Sequence, residues 1–457
     1  MATIDTVLAH LDASRQPALD RLFELLRIKS VSTDPAFAAD CEVAASWLAA
    51  QLASIGFDAS VRPTTGHPIV VAHAKAARRD VPHVLFYGHY DVQPADPLEL
   101  WQTDPFVPRI EADRIVARGA ADDKGQLMTF VEACRAFVET GGLPCDVSVM
   151  LEGEEETGSP SLAAFLAANK AELSADVVLI CDTSMWDKAT PAITTMLRGN
   201  VLEEVVIHGP SRDLHSGLFG GAAINPARVL ARIIADLHDD AGRVMLPGFY
   251  DGVEELPDDV SAQWRELQFD EAAFLGAVGL SAPAGEAGRS VLEMIWSRPT
   301  AEVNGLVAGY TGTGTKTVLP AQARAKLSFR LVGRQDPQII QAAFRAFVRA
   351  RLPADCRAEF IGHGATSADQ LPIKSEALTR ARRALEAEWG RPAVLAASGG
   401  SIPIVGAFKR DLKMDALMVG FGLDDDRIHS PNEKYEVMSF QKGARSWARI
   451  LAGLAAG

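Results

Sequence analysis

The sequence predicts an α/β protein. We expect a three-layer domain with a mixed, mostly parallel sheet, interrupted by an inserted α+β domain of ferredoxin-like order. Three observations predict it. Over the first 200 residues, apolar runs without polar alternation recur between amphipathic helical patterns. A β-α-β-β-α-β succession follows from about Val201, and the first pattern resumes from about Leu371.

The opening segment carries Asp5, Asp12 and Asp20 at helix-like intervals and reads as one amphipathic helix. It has no basic start, apolar core or cleavage site of a secretory leader, so a cytoplasmic location is expected. Helical periodicity marks Gln16–Ile28, Cys41–Ser54 and Gly125–Thr140. The runs IVVAHA (Ile69–Ala74), VLFYG (Val84–Gly88), VSVML (Val147–Leu151) and VVLIC (Val177–Cys181) fit strands covered on both faces.

In the second region EEVVIHG reads as a strand, and Asn225–His238 as a helix opened by Asn-Pro. Strands at Glu302–Tyr310 and Ala323–Val332, a helix at Pro337–Arg351 and a strand at Arg357–Ile361 complete the split motif. Residues 240–300 interrupt it as a partly helical insertion. The closing segment is expected to hold a helix at Glu376–Trp389, strands at Ile402–Val405 and Leu417–Phe421, and a helix at Phe440–Ala455. The boundaries are thus 1–200 with 366–457 for one domain, and 201–365 for the inserted one.

Composition narrows the function. At 457 residues the chain is long for one core, and 48% hydrophobic with 23% charged residues is ordinary for a globular protein. A net charge of −14, from 45 basic and 59 acidic side chains, leaves no basic stripe for a nucleic acid. No apolar stretch is long enough to span a bilayer. The five cysteines are scattered without a CxxC pair, which argues against a disulfide framework.

Four expected strands lead into potential metal ligands: His89-Tyr90-Asp91, Glu152 to Glu156, Asp182, and, after a short acidic loop, His429. Open α/β sheets bind ligands beyond the carboxyl ends of their strands, so the recurrence carries more weight than any one residue. His89 is either a turn histidine or a ligand, with Asp91 fixing its tautomer. Asp122 and Asp123 stand before a helix, where they would cap it or, more sharply, bridge two cations through Asp122. Within Glu154–Glu156 one carboxylate would coordinate while its neighbour handles protons. His215, in DLHSG, is a turn residue or an electrophile. No HExxH helix, GxSxG elbow or true P-loop is present; TGTGTK at Thr311–Lys316 departs from the last pattern.

GHYDVQP (Gly88–Pro94), RGAADDKG (Arg118–Gly125), EGEEETGS (Glu152–Ser159), DLHSGLFGG (Asp213–Gly221) and HSPNEKY (His429–Tyr435) together resemble one family. It is the di-zinc family of carnosinases, cytosolic nonspecific dipeptidases, aminoacylases and related carboxypeptidases. The likeness runs through nearly the whole chain, and the long insertion resembles the carnosinase branch.

The resemblance implies a metallopeptidase with two divalent ions, Zn²⁺ or alternatively Mn²⁺ or Co²⁺. His89 and Asp182 would bind one ion and Glu156 and His429 the other, with Asp122 bridging and Asp91 supporting His89. Glu155 would be the general base and acid, and the Asp122–Asp123 peptide would be cis. The inserted domain would act as lid and dimerisation surface of a homodimer, placing His215 in the other subunit's site. Thr317, Arg330, His363 and Ser401 would hold the substrate's carboxylate and backbone. One position departs from the pattern: Ser398 stands where carnosinase-type enzymes carry a glutamate near the substrate's free amine. The expected function is therefore a dipeptidase, with an N-acyl-amino-acid amidohydrolase as the alternative and a non-catalytic binding protein on the same scaffold as a third reading.

Overall fold

The computed structural model describes residues 3–399 and 403–456. The chain separates into two compact units. The first comprises Met1–Thr195, Leu371–Ala396 and Ala407–Gly457, the second Met196–Gln370 and Ala397–Gly406.

The sheet of the first unit is mixed. Its strands lie in the order Asp58–Arg62, Ile69–Ala74, Asp146–Glu152, His83–His89, Val177–Ile180, Asp415–Met418 and Ala192–Leu197. Parallel pairing joins the four central strands, from Asp146–Glu152 to Asp415–Met418. The flanks are antiparallel. Val84, Leu85, Phe86 and Tyr87 are all buried, as are Val177 to Ile180, so these strands are covered on both faces. That is why their sequences show no polar alternation.

Under the central strand Phe86 stacks on Phe130 with ring centroids 3.9 Å apart, and Trp447 meets both edge-on. Aromatic pairs of this kind add about 0.5–1.5 kcal/mol each beyond their buried area. They pack the strand ending at His89 against helices Lys124–Thr140 and Val437–Ala455 on one face.

Helix ends follow local chemistry. Ser375 caps Glu376–Trp389 by accepting from Leu378 N–H, and Gly390, left-handed at φ 70°, closes it. The opening segment is two helices rather than one, Ile4–Ala13 and Arg15–Leu26. Pro17 lacks the N–H that a continuous helix would donate to Ala13, and its ring would crowd that carbonyl. The expected strand at Ile402–Val405 is also corrected. Pro403–Ala407 is helical, with Pro403 at its start, and the strand lies earlier, at Val394–Ser398. A small sheet of Arg109–Glu111, Arg114–Val116 and Lys434–Glu436 has no counterpart in the sequence reading.

The second unit holds a four-stranded antiparallel sheet ordered Thr300–Ala308, Gln322–Leu331, Gly199–His208 and Arg357–Thr366. Helices Pro226–Ala235 and Pro337–Arg349 pack on one face, so the β-α-β-β-α-β order is present. Both start at Pro after a capping residue, with Asn225 accepting from Ala227 N–H and Asp336 from Gln338 N–H. Gln322–Leu331 alternates strictly, burying Ala323, Ala325, Leu327, Phe329 and Leu331. The stretch 240–300 contains helices Asp258–Glu266, Glu271–Gly276 and Val291–Trp296. Among the described residues no helix is long and apolar enough to cross a membrane.

Candidate metal centre

Asp146–Glu152, His83–His89 and Val177–Ile180 are parallel neighbours, so His89, Glu152 and Asp182 emerge at one edge of the sheet. The loop before helix Lys124–Thr140 brings Asp122 to the same place. His89 Nε2 lies 3.0 Å from Asp122 Oδ1 and 4.0 Å from Asp182 Oδ2. On the other side His429 Nε2 lies 2.9 Å from Asp122 Oδ2 and 3.3 Å from Glu156 Oε2. Two clusters result, His89–Asp122–Asp182 and Asp122–Glu156–His429, each with ligand atoms within 4.8 Å of one another. Asp122 faces one cluster with each carboxylate oxygen.

These residues fit two cations. His89 Nε2 is buried and, despite the nearby Asp122 oxygen, has no aligned hydrogen-bond partner. Its other nitrogen, Nδ1, sits 3.2 Å from the Asp91 carbonyl and 3.4 Å from Asp91 Oδ1. An Nδ1–H held there leaves the Nε2 lone pair for a metal.

The local charge also points to missing positive charge. Burial, then the neighbouring Asp122, pushes the Asp182 carboxyl well up. Burial works to raise Asp122 as well, but the hydrogen bond with His429 and the nearby His89 imidazole hold it below the usual range. Bonds to Asp122 and Glu156 raise the His429 imidazole to about 10. Burial raises the Glu155 carboxyl, with further help from Glu156, Asp122 and Asp91. Three carboxylates, Asp122, Glu156 and Asp182, gathered around two imidazoles are the donor set that divalent cations complete, and mixed imidazole–carboxylate ligation suits Zn²⁺.

Asp91 does more than its expected support of His89. Its carboxylate accepts from Ser32 Oγ at 2.6 Å, Glu155 N–H at 3.2 Å and Glu156 N–H at 3.0 Å. It thereby fixes the 3-10 turn Glu155–Thr157 as well as the imidazole. Gln93 Nε2 donates to Glu156 Oε2 at 2.8 Å.

The Asp122–Asp123 peptide is cis. Asp123 occupies the helix N-cap position, yet its side chain makes no capping bond. It instead accepts from His89 N–H at 3.2 Å and from Cys181 Sγ–H at 3.2 Å, tying two strand ends together. Cys181 is a buried partner in that tie.

The site residues expected in the second unit are placed as follows. His215 Nδ1 accepts from Gly217 N–H at 3.0 Å, which leaves Nε2 as the nitrogen that carries the proton. The Thr317 carbonyl accepts from Ser216 N–H at 3.0 Å. Arg330 pairs in register with Asn200 on the face of the sheet opposite the helices. His363 Nε2 lies 3.2 Å from Glu204 Oε2. Ser401 falls outside the described residues.

A carboxylate shared by two imidazole–carboxylate clusters, at the carboxyl edge of parallel strands, defines a dinuclear metal-dependent hydrolase. The chain belongs to Peptidase family M20/M25/M40, whose profile matches residues 85–453.

Curated relatives agree. It is 30% identical over 450 residues to the Cys-Gly metallodipeptidase DUG1 of Candida albicans, covering 94% of this chain and 92% of the relative. It is 28% identical over 381 residues to the rat (Rattus norvegicus) Beta-Ala-His dipeptidase, covering 82% and 77%. Among solved structures, the M20 metallo-carboxypeptidase Sso-CP2 of Sulfolobus solfataricus superposes with a TM-score of 0.82. The two are 30% identical over 96% of this chain and 99% of that one. Human carnosine dipeptidase 1 gives a TM-score of 0.79 at 25% identity, covering 100% and 99%.

Proposed function

We propose that the enzyme is a dipeptidase that splits the amide bond of small peptides carrying a free carboxylate. The observation that carries this reading is the two-sided engagement of Asp122, Oδ1 toward His89 and Oδ2 toward His429. The activities of the curated relatives, Cys-Gly and Beta-Ala-His dipeptidases, support the substrate class.

The two cations, when bound, supply the charge that acidifies a water and polarises the scissile carbonyl. His89 and Asp182 would hold one, Glu156 and His429 the other, with Asp122 shared between them. Glu155, beside Glu156 on the turn fixed by Asp91, takes the proton from the attacking water and returns it to the departing nitrogen. The His215 Nε2–H donates to the developing oxyanion in the site of the other subunit of a homodimer. Arg330, whose planar fork matches a carboxylate, grips the substrate's terminus together with Thr317, His363 and Ser401.

The inserted domain, 201–365, serves as lid and dimerisation surface. Its edge strand Thr300–Ala308 presents exposed Val303, Leu306 and Val307, a surface that a second copy would cover. A monomer mass by light scattering would sink both the dimer and the shared role of His215.

Ser398 favours a second reading, an N-acyl-amino-acid amidohydrolase, because an uncharged side chain there offers no counter-charge to a substrate ammonium. Elemental analysis combined with parallel assays of free dipeptides and N-acetyl amino acids decides between them. We expect two ions per chain and turnover of the dipeptides. Hydrolysis of the acylated panel alone would reject the dipeptidase.

A further inference from the structure

Glu433 has no role in the ligand set, yet it is fully buried. Its carboxylate collects four donors. Oε2 accepts from Arg118 Nη1 at 2.7 Å and from Gly119 N–H at 2.9 Å. Oε1 accepts from Ala121 N–H at 2.8 Å and from Asp122 N–H at 3.1 Å. Three inward amides from one short loop form a cradle for an anion. Gly119 makes the cradle possible. It is left-handed at φ 81°, and a Cβ there would lie 2.6 Å from Val92 Cγ1.

Arg118 is itself held from behind. Its Nη2 donates to the Pro94 carbonyl at 3.1 Å, and its guanidinium lies 5.5 Å over the Trp101 ring. Glu433 stands four residues after His429, and its own carbonyl accepts from Ala117 N–H at 3.2 Å. Neighbouring Asn432 fastens the same segment, accepting from Gln102 N–H and donating to the Leu100 carbonyl.

We propose that Glu433 is a positioning residue that locks the Asp122 loop to the His429 segment and so sets how tightly the second cation is held. The inference rests on the two-metal reading above. A neutral glutamine of the same shape would turn an N–H₂ group toward amides that need an acceptor, so the cradle would open. Asp122 and His429 would then lose their common reference.

The test is calorimetric titration of metal-free protein with Zn²⁺, alongside melting curves. Wild type is expected to take up two ions; fewer than two would refute the two-metal reading itself, not the role of Glu433. Glu433→Gln is expected to weaken the second ion about 10–100-fold, with the first changed less. Excess Zn²⁺ should restore its turnover, which would not happen for a residue that transfers protons. Glu433→Asp, which keeps the charge, should recover most of the affinity. Glu132→Gln is the control, since Glu132 is another buried carboxylate, paired with Arg21 at 2.7 and 2.6 Å on the same helix as Lys124. It should lower the melting temperature without changing either ion. Wild-type affinity in folded Glu433→Gln, or an equal loss in the Glu132 control, would overturn the proposal. If the glutamine variant does not fold, the aspartate variant decides: a loss of a few-fold supports the proposal, and wild-type affinity overturns it.

Discussion

The two halves of the metal centre are built by different means. On one side His89 closes a strand buried on both faces, its side chain 0% exposed, and Asp182 follows the adjacent parallel strand. On the other side the His429 side chain is 54% exposed and the residue itself is left-handed at φ 59°. Its partner Glu156 sits on a single 3-10 turn. The first half inherits its geometry from the sheet. The second is made of irregular chain, and buried carboxylates supply the order that the backbone ladder does not. Asp91 gathers the Glu155–Glu156 turn, and Glu433 gathers the loop of Asp122.

The sharpest separation comes from Glu155, which belongs to neither half. Glu155→Gln should leave two ions bound while turnover falls about 10²–10⁴-fold. Metal analysis and steady-state rates on one preparation check this, and near-wild-type turnover would remove Glu155 from the chemistry.

Asp91→Asn should be next in effect. The amide that replaces the carboxylate would bring donors against the Glu155 and Glu156 N–H groups and the His89 ring, so both ions should bind about 10–100-fold more weakly. Competition with a chromophoric chelator would measure it. An effect on one ion alone would mean that Asp91 serves only one half.

Gln93→Leu should do least. It deletes the 2.8 Å hydrogen bond to the Glu156 carboxylate, worth about 1 kcal/mol, and should touch only the second ion. Calorimetric titration with Zn²⁺ reads both ions at once, and a change in the first would erase the distinction between the halves.

Legibility in the sequence follows the same division. The residues at strand exits, His89, Glu152 to Glu156 and Asp182, are visible because unalternated apolar runs announce buried parallel strands, and ligands gather where such strands end. Asp122 and His429 lie in loops whose course depends on distant partners. The residues alone offer them as candidates, Asp122 beside a capping alternative and His429 beyond an acidic loop, and the resemblance assigns their places in the ligand set. Glu433 escapes a reading of the sequence, since an acid between Asn432 and Lys434 looks like solvated surface until Gly119, Ala121 and Asp122 are seen around it. Asp123 misleads in the opposite way, because its position suggests a helix cap while its carboxylate serves His89 and Cys181. The opening helix reads as continuous because its periodicity survives the break that Pro17 imposes. The strand expected at Ile402–Val405 fails because a short apolar run does not distinguish strand from helix, and Pro403 decides it.

The strand Asp415–Met418 lies in the interior of its sheet, parallel to Val177–Ile180 on one side and meeting Ala192–Leu197 at Met418 and Thr194 on the other. A growing polypeptide therefore carries an open slot in the middle of its main sheet until Asp415–Met418 has been made. Shortening the chain from its carboxyl end would split this layer instead of trimming its margin. The hydrolytic centre matures later still, once the His429 segment has been made, so a chain stopped short of His429 carries no complete site.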